Sequence, residues 1–131
     1  MAILVDNMQW VLLVCGVVTF TMIQAVFVPR ATMRAWFGEA PESPAAALLM
    51  RNWGALVAAG GLLLIYAAFN PEVRPVVLIF VGAGKLAFIA LVLSLGKRFL
   101  RKQAGLAVII DSVMVTLFTA YLLAAQGQPA V

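Results

Sequence analysis

Arg51, Lys85 and Asp111 are the only charged residues inside four long apolar stretches, Met8–Val28, Ala45–Phe69, Val76–Leu95 and Ala104–Ala125. A lone Arg, Lys or Asp at the centre of a membrane helix costs about 2.5–3.5 kcal/mol on insertion scales, so such charges favour pairing. At the helical rise of ~1.5 Å per residue, Arg51 lies roughly 10 Å from Pro44, Asp111 about as far from Ala104, and Lys85 roughly 16 Å from Gly96. Those depths allow Asp111 to serve both cations. A fully ionised triad keeps one uncompensated positive charge, so either Lys85 is neutral through desolvation or the cluster attracts an anion or polarises a carbonyl. The competing reading is an ion pair that fixes helix register, with Arg51 snorkelling to the nearer surface.

Polar neighbours extend this candidate ligand or proton site. Gln24 and Thr21 on the first stretch, Asn52 on the second, and Ser112 with Thr116 on the fourth occupy the middle or the same half of the membrane. Ser112, Thr116 and Thr119 follow helical spacing and form one stripe, which either lines water or hydrogen-bonds to the preceding turn. Beside Asp111 the stripe suggests a polar interior open to the cytoplasm.

Other chemistries are poorly served. Cys15 is the lone cysteine and there is no histidine, which excludes a disulfide relay within one chain, a CxxC motif and a histidine metal or haem site. Asp6, Glu39, Glu42 and Glu72 are scattered near segment ends, so no metal site is expected. Gly82-Ala83-Gly84-Lys85 looks like part of a phosphate loop, but it sits within an apolar helix and lacks the rest of that motif.

The elements that must position these residues follow from length and composition. Each stretch approaches the ~20 apolar residues that cross a bilayer. A composition of 65% apolar and 11% charged residues leaves little polar surface for a globular exterior. The expectation is therefore an all-α, integral membrane four-helix bundle forming one domain, with helices over about 8–28, 45–69, 76–95 and 104–125. An interfacial segment over about 30–38 would place Met33, Trp36 and Phe37 on the inner leaflet, with Arg30 and Arg34 on its polar side. Ser43-Pro44 supplies an N-cap and first-turn pair, Asn70-Pro71 a stop, and Gly96 ends the third helix.

The first stretch lacks a basic n-region and a small-residue cleavage site, so it reads as a retained helix. Arg30, Arg34, Lys97, Arg98, Arg101 and Lys102 fall in two loops on one side, against Arg74 on the other. That asymmetry predicts both termini on the non-cytoplasmic side and suits a bacterial inner membrane. Trp10, Tyr66 and Tyr121 towards one surface, and Trp36 and Trp53 towards the other, read as aromatic belts. The run Lys97–Lys102 suits anionic membrane lipid better than nucleic acid, despite the net charge of +4. On the second helix, Gly54, Ala55, Ala58 and Gly61 leave a face without bulk for close helix packing.

Three local patterns carry a family resemblance: Phe27-Val28-Pro29, Trp36-Phe37-Gly38, and Arg51-Asn52-Trp53-Gly54 before a glycine-rich apolar run. In layout, over roughly residues 8–125, the chain resembles the small four-helix DoxX-like membrane proteins and their uncharacterised relatives. Some DoxX-type proteins are associated with quinone-linked sulfur oxidation or membrane redox complexes. The resemblance thus implies a redox-linked setting and a quinone as cofactor, although the residues themselves identify none. Only the Arg51/Gly54 pattern transfers; Lys85 and Asp111 have no equivalent in it.

Three function classes remain open. The leading expectation is an accessory or scaffold subunit of a membrane complex, joined to a membrane-protein partner or to further copies of itself. The second is a homo-oligomeric transporter or channel for an anion or proton, lined by Arg51, Lys85 and Asp111. The third is a membrane enzyme or a quinone- or lipid-binding protein, in which a cation polarises a carbonyl and Asp111 handles a proton.

Overall fold

The computed structural model describes residues 2–126, and among them every regular element is helical. Seven α-helices follow one another: α1 Ala2–Asp6, α2 Met8–Phe20, α3 Gln24–Phe27, α4 Pro29–Phe37, α5 Pro44–Phe69, α6 Arg74–Leu95 and α7 Gln103–Gln126. Short 3-10 turns occupy Thr21–Ile23, Pro71–Val73 and Lys97–Arg101. Four helical spans are long and apolar enough to cross a membrane: Met8–Phe27, Pro44–Phe69, Pro71–Leu95 and Gln103–Gln126. Large apolar side chains face outward along all of them, among them Val17, Leu56, Leu62, Phe80, Ile109 and Val113. Helices apolar on every side suit a hydrocarbon solvent, and they mark the chain as an integral membrane protein.

Helix boundaries have local causes. Ser43 caps α5, its Oγ accepting from the backbone N–H groups of Ala45 at 3.1 Å and Ala46 at 3.3 Å, and Pro44 follows where no N–H is needed. Val28 leaves the helical region ahead of Pro29, which opens α4, and Gly38 ends α4 with a φ of 78°. The first span is not one uninterrupted α-helix. Thr21 Oγ1 donates to Val18 O at 2.5 Å, and the turn tightens to 3-10 over Thr21–Ile23.

The most extensive contact joins α2 to α5. Gly16 and Gly61 oppose each other there: a Cβ on Gly61 would lie 2.7 Å from Gly16 O and 2.6 Å from Phe20 N. Gly54 meets the next stretch of the same span, where a Cβ would lie 2.8 Å from Met22 O. Ala58 is buried on this seam's helix, whereas Ala55 is exposed, so the small-residue face is narrower than the sequence suggests.

Two apolar clusters fill the interior. Met8, Leu12, Cys15, Leu64, Leu78, Met114, Phe118 and Tyr121 form the larger, towards the chain termini; Met22, Ala25, Met33 and Met50 form the smaller, towards α4. Tyr121 is therefore a core residue and not part of a surface belt. Likewise α4 does not rest its apolar side on lipid. Pro29, Thr32 and Met33 are buried, and Trp36 packs edge-on to Trp53 at 5.4 Å and to Phe88 at 6.1 Å. Arg98 reaches Glu39 at 3.2 Å, and Phe37 meets Phe99 at 5.2 Å, so both basic loops lie at this one end.

Candidate functional site

Lys85 stands halfway along α6 and Asp111 two turns into α7. Lys85 Nζ donates to Asp111 Oδ1 at 2.8 Å, and the two side chains retain only 9% and 16% of their exposure. α6 places Val77, Leu78 and Val81 on the face that carries Lys85, and α7 places Val108, Met114 and Phe118 about Asp111, so apolar side chains on both helices frame the pair. Cys15 of α2 is buried in the adjoining apolar cluster. Thr19 Oγ1 is 3.8 Å from Met114 Sδ in the same region. Among the described residues no fully buried side-chain nitrogen or oxygen lacks a hydrogen-bond partner.

Arg51 does not join this pair. It lies on the exposed side of α5, where its Nη1 donates to Val26 O at 3.0 Å. That carbonyl belongs to the last turn of the first span, where four carbonyls lack helical partners, so the guanidinium caps a helix end. The shared-carboxylate triad is thus corrected to a Lys85–Asp111 pair and a separate Arg51 cap.

The remaining sequence candidates also face outward. Gln24 and Asn52 are exposed, and neither side-chain amide has a partner among the described residues. Ser112 and Thr116 are exposed and bond back along their own helix, Ser112 Oγ to Val108 O at 2.6 Å and Thr116 Oγ1 to Ser112 O at 2.8 Å. They line a shallow outer depression of about 260 Å³ with Val113 and Leu117, not a polar interior. The stripe at Ser112, Thr116 and Thr119 is real as a helical row, but α7 turns it away from Asp111's partner. No group of three or more His, Cys, Asp or Glu side chains among the described residues could hold a metal ion.

Sequence reasoning assigned Arg74 only to a loop, yet it is 9% exposed. Its Nε donates to Ala67 O and its Nη2 to Ala68 O, both at 2.9 Å, and its guanidinium carbon stands 5.9 Å from the Tyr121 ring centroid. Arg74 therefore adds donors to the C-terminal carbonyls of α5, of which Ala67 O also accepts from Asn70 N–H at 3.3 Å, and ties them to α7. The usable signal was its position just after Asn70-Pro71, within reach of a helix end that needs donors. Phe88 was missed as well: it stacks on Trp53 at 5.9 Å and joins two tryptophans far apart in sequence.

What the site can do follows from its surroundings. A carboxylate and an ammonium held in contact neutralise each other, and apolar packing around them limits exchange with water. No family model matches the chain, and no curated protein or solved structure matches it either.

Proposed function

We propose that this chain is an accessory or scaffold subunit of a membrane complex in a bacterial inner membrane, bound to a membrane-protein partner or to further copies of itself. The observation that carries this reading is the outward placement of Gln24 and Asn52, two side-chain amides on membrane-length spans with no partner among the described residues. In a bilayer such groups act as glue between helices, with typical interhelical hydrogen bonds worth about 0.6 to 2 kcal/mol each. The self-contained Lys85–Asp111 pair supports the same reading, because each charge is taken up by the other and neither is left to engage a substrate. A transport route or an active site would instead gather the polar candidates around that pair, and they lie on other faces.

The DoxX-like resemblance adds a redox-linked setting to the proposal, with a quinone belonging to the assembled complex. Gentle purification in native lipid followed by native mass spectrometry tests the reading. The expected result is a complex of fixed stoichiometry that Asn52→Leu and Gln24→Leu weaken. A chain that remains a monomer in native lipid and captures no partner would overturn it.

A further inference from the structure

The basic end of the protein carries an apolar groove of about 250 Å³ beside α6, walled by Phe37, Phe88, Val92, Leu95, Gly96 and Phe99. Its shape depends on a glycine. A Cβ on Gly96 would lie 2.8 Å from Phe99 Cδ2, so only the bare backbone lets that ring fold back against the end of α6. From Phe88 to Gly96 the groove follows α6 for about 12 Å, most of the ~15 Å depth of one bilayer leaflet. Leu91 and Leu95 stand exposed along its lip.

Cations crown the end of this groove. The Arg98 guanidinium carbon lies 4.7 Å from the Phe99 ring centroid, directly over a wall residue. Lys97, Arg101 and Lys102 are exposed beside it and make no ion pair among the described residues. Arg98 has one acidic partner, Glu39, at 3.2 Å, but both side chains are well exposed and such pairs are weak. A phosphate can take the guanidinium's paired donors in place of that carboxylate.

We infer that this groove binds one anionic phospholipid, its acyl chain along α6 and its phosphate held by Arg98 with Lys97 and Arg101. Apolar length and cationic rim together match an amphiphile of that charge. A second copy of the chain fits worse, because it would bring another cationic rim against the first.

The test offers the purified protein in detergent an equal mixture of phosphatidylglycerol and phosphatidylcholine with identical acyl chains, and counts retained lipid by native mass spectrometry. The expected result is one phosphatidylglycerol held with a preference on the order of tenfold, the scale set by a few basic side chains near a charged lipid. Lys97→Ala with Arg98→Ala removes exposed groups only, and should abolish the preference. Leu95→Trp fills the lip from an exposed position, and should reduce retention of both lipids.

Equal retention of the two lipids by the unaltered chain would overturn the inference. So would a preference that survives the double substitution, or lipid retention that Leu95→Trp leaves untouched, since that describes charge attraction without a groove. Displacement of the lipid by soluble glycerol phosphate would assign the site to a free phosphate instead. The assay reads the chain with or without a partner subunit, so its failure is separate from failure of the scaffold reading.

Discussion

Gly16 and Gly61 approach so closely that neither can carry a side chain: a Cβ on Gly16 would lie 2.8 Å from Gly61 O, and one on Gly61 would lie 2.7 Å from Gly16 O. The obstacle in each case is backbone, which cannot rotate out of the way. Gly61→Ala should therefore separate α2 from α5 and cost about 1–3 kcal/mol, the usual range for overpacking. Gly84→Ala is the matched control, because nothing lies within 4 Å of its Cβ position. Thermal unfolding in detergent should show a lower midpoint for the first and an unchanged or slightly higher one for the second.

Asp111→Ala leaves the Lys85 ammonium buried without its partner and should destabilise the protein by about 3–5 kcal/mol. Replacing both members, Lys85→Met with Asp111→Leu, removes the desolvated charges together and should restore most of that loss. Equilibrium unfolding of Lys85→Met alone, Asp111→Leu alone and the double variant gives the coupling directly. A double variant as unstable as the worse single one would mean that the pair answers to something beyond itself.

Arg74→Ala deletes both donors to Ala67 O and Ala68 O, and hydrogen bonds involving a charged group are worth about 1.5–3 kcal/mol. Arg74→Lys should recover only part, since an ammonium lacks the fork that spans two carbonyls. Amide hydrogen exchange localises the effect. Faster exchange confined to the end of α5 and the following turn is the expected pattern, whereas uniform acceleration would contradict a local capping role.

Phe88→Leu should loosen the aromatic packing that joins α4 to α5 and α6 through Trp36 and Trp53, at a cost of about 0.5–1.5 kcal/mol beyond lost area. Near-ultraviolet circular dichroism reports the geometry of those two rings. Its tryptophan bands should weaken while the helical far-ultraviolet signal persists, and unchanged bands would show that the rings hold each other without Phe88.

Glu39→Gln tests the opposite limit. It removes the carboxylate charge from the exposed contact to Arg98, and solvent-exposed pairs contribute about 0–1 kcal/mol, so the unfolding midpoint should barely move. A large fall would mean that this loop contact is sheltered from water.

The four apolar spans could be read from the chain because length and hydropathy alone decide which segments suit hydrocarbon. Which side of each span faces inward could not. A helix that is apolar all round carries no directional signal, so Ser112 and Thr116 looked as suited to an interior as to the outer face they occupy. Opposite charges were more informative, since Lys85 and Asp111 can lower each other's burial cost only by meeting. Arg51 escaped that logic because a helix-end carbonyl, invisible in a residue list, offered it another partner. The same blindness applies to Arg74, whose two acceptors are main-chain oxygens, and to Phe88, whose neighbours come from separate helices.

The first apolar span has 20 residues and α5 has 26, which corresponds to about 30 Å against about 39 Å of helix. A bilayer of uniform thickness cannot match both when they stand side by side. Either α5 tilts, or lipid on the two flanks of the protein differs in height, and each adjustment costs a fraction of a kcal/mol per ångström of mismatch. With α4 following directly on the shorter span, the protein presents unequal apolar lengths to its own solvent, which makes it sensitive to the thickness of the membrane that surrounds it.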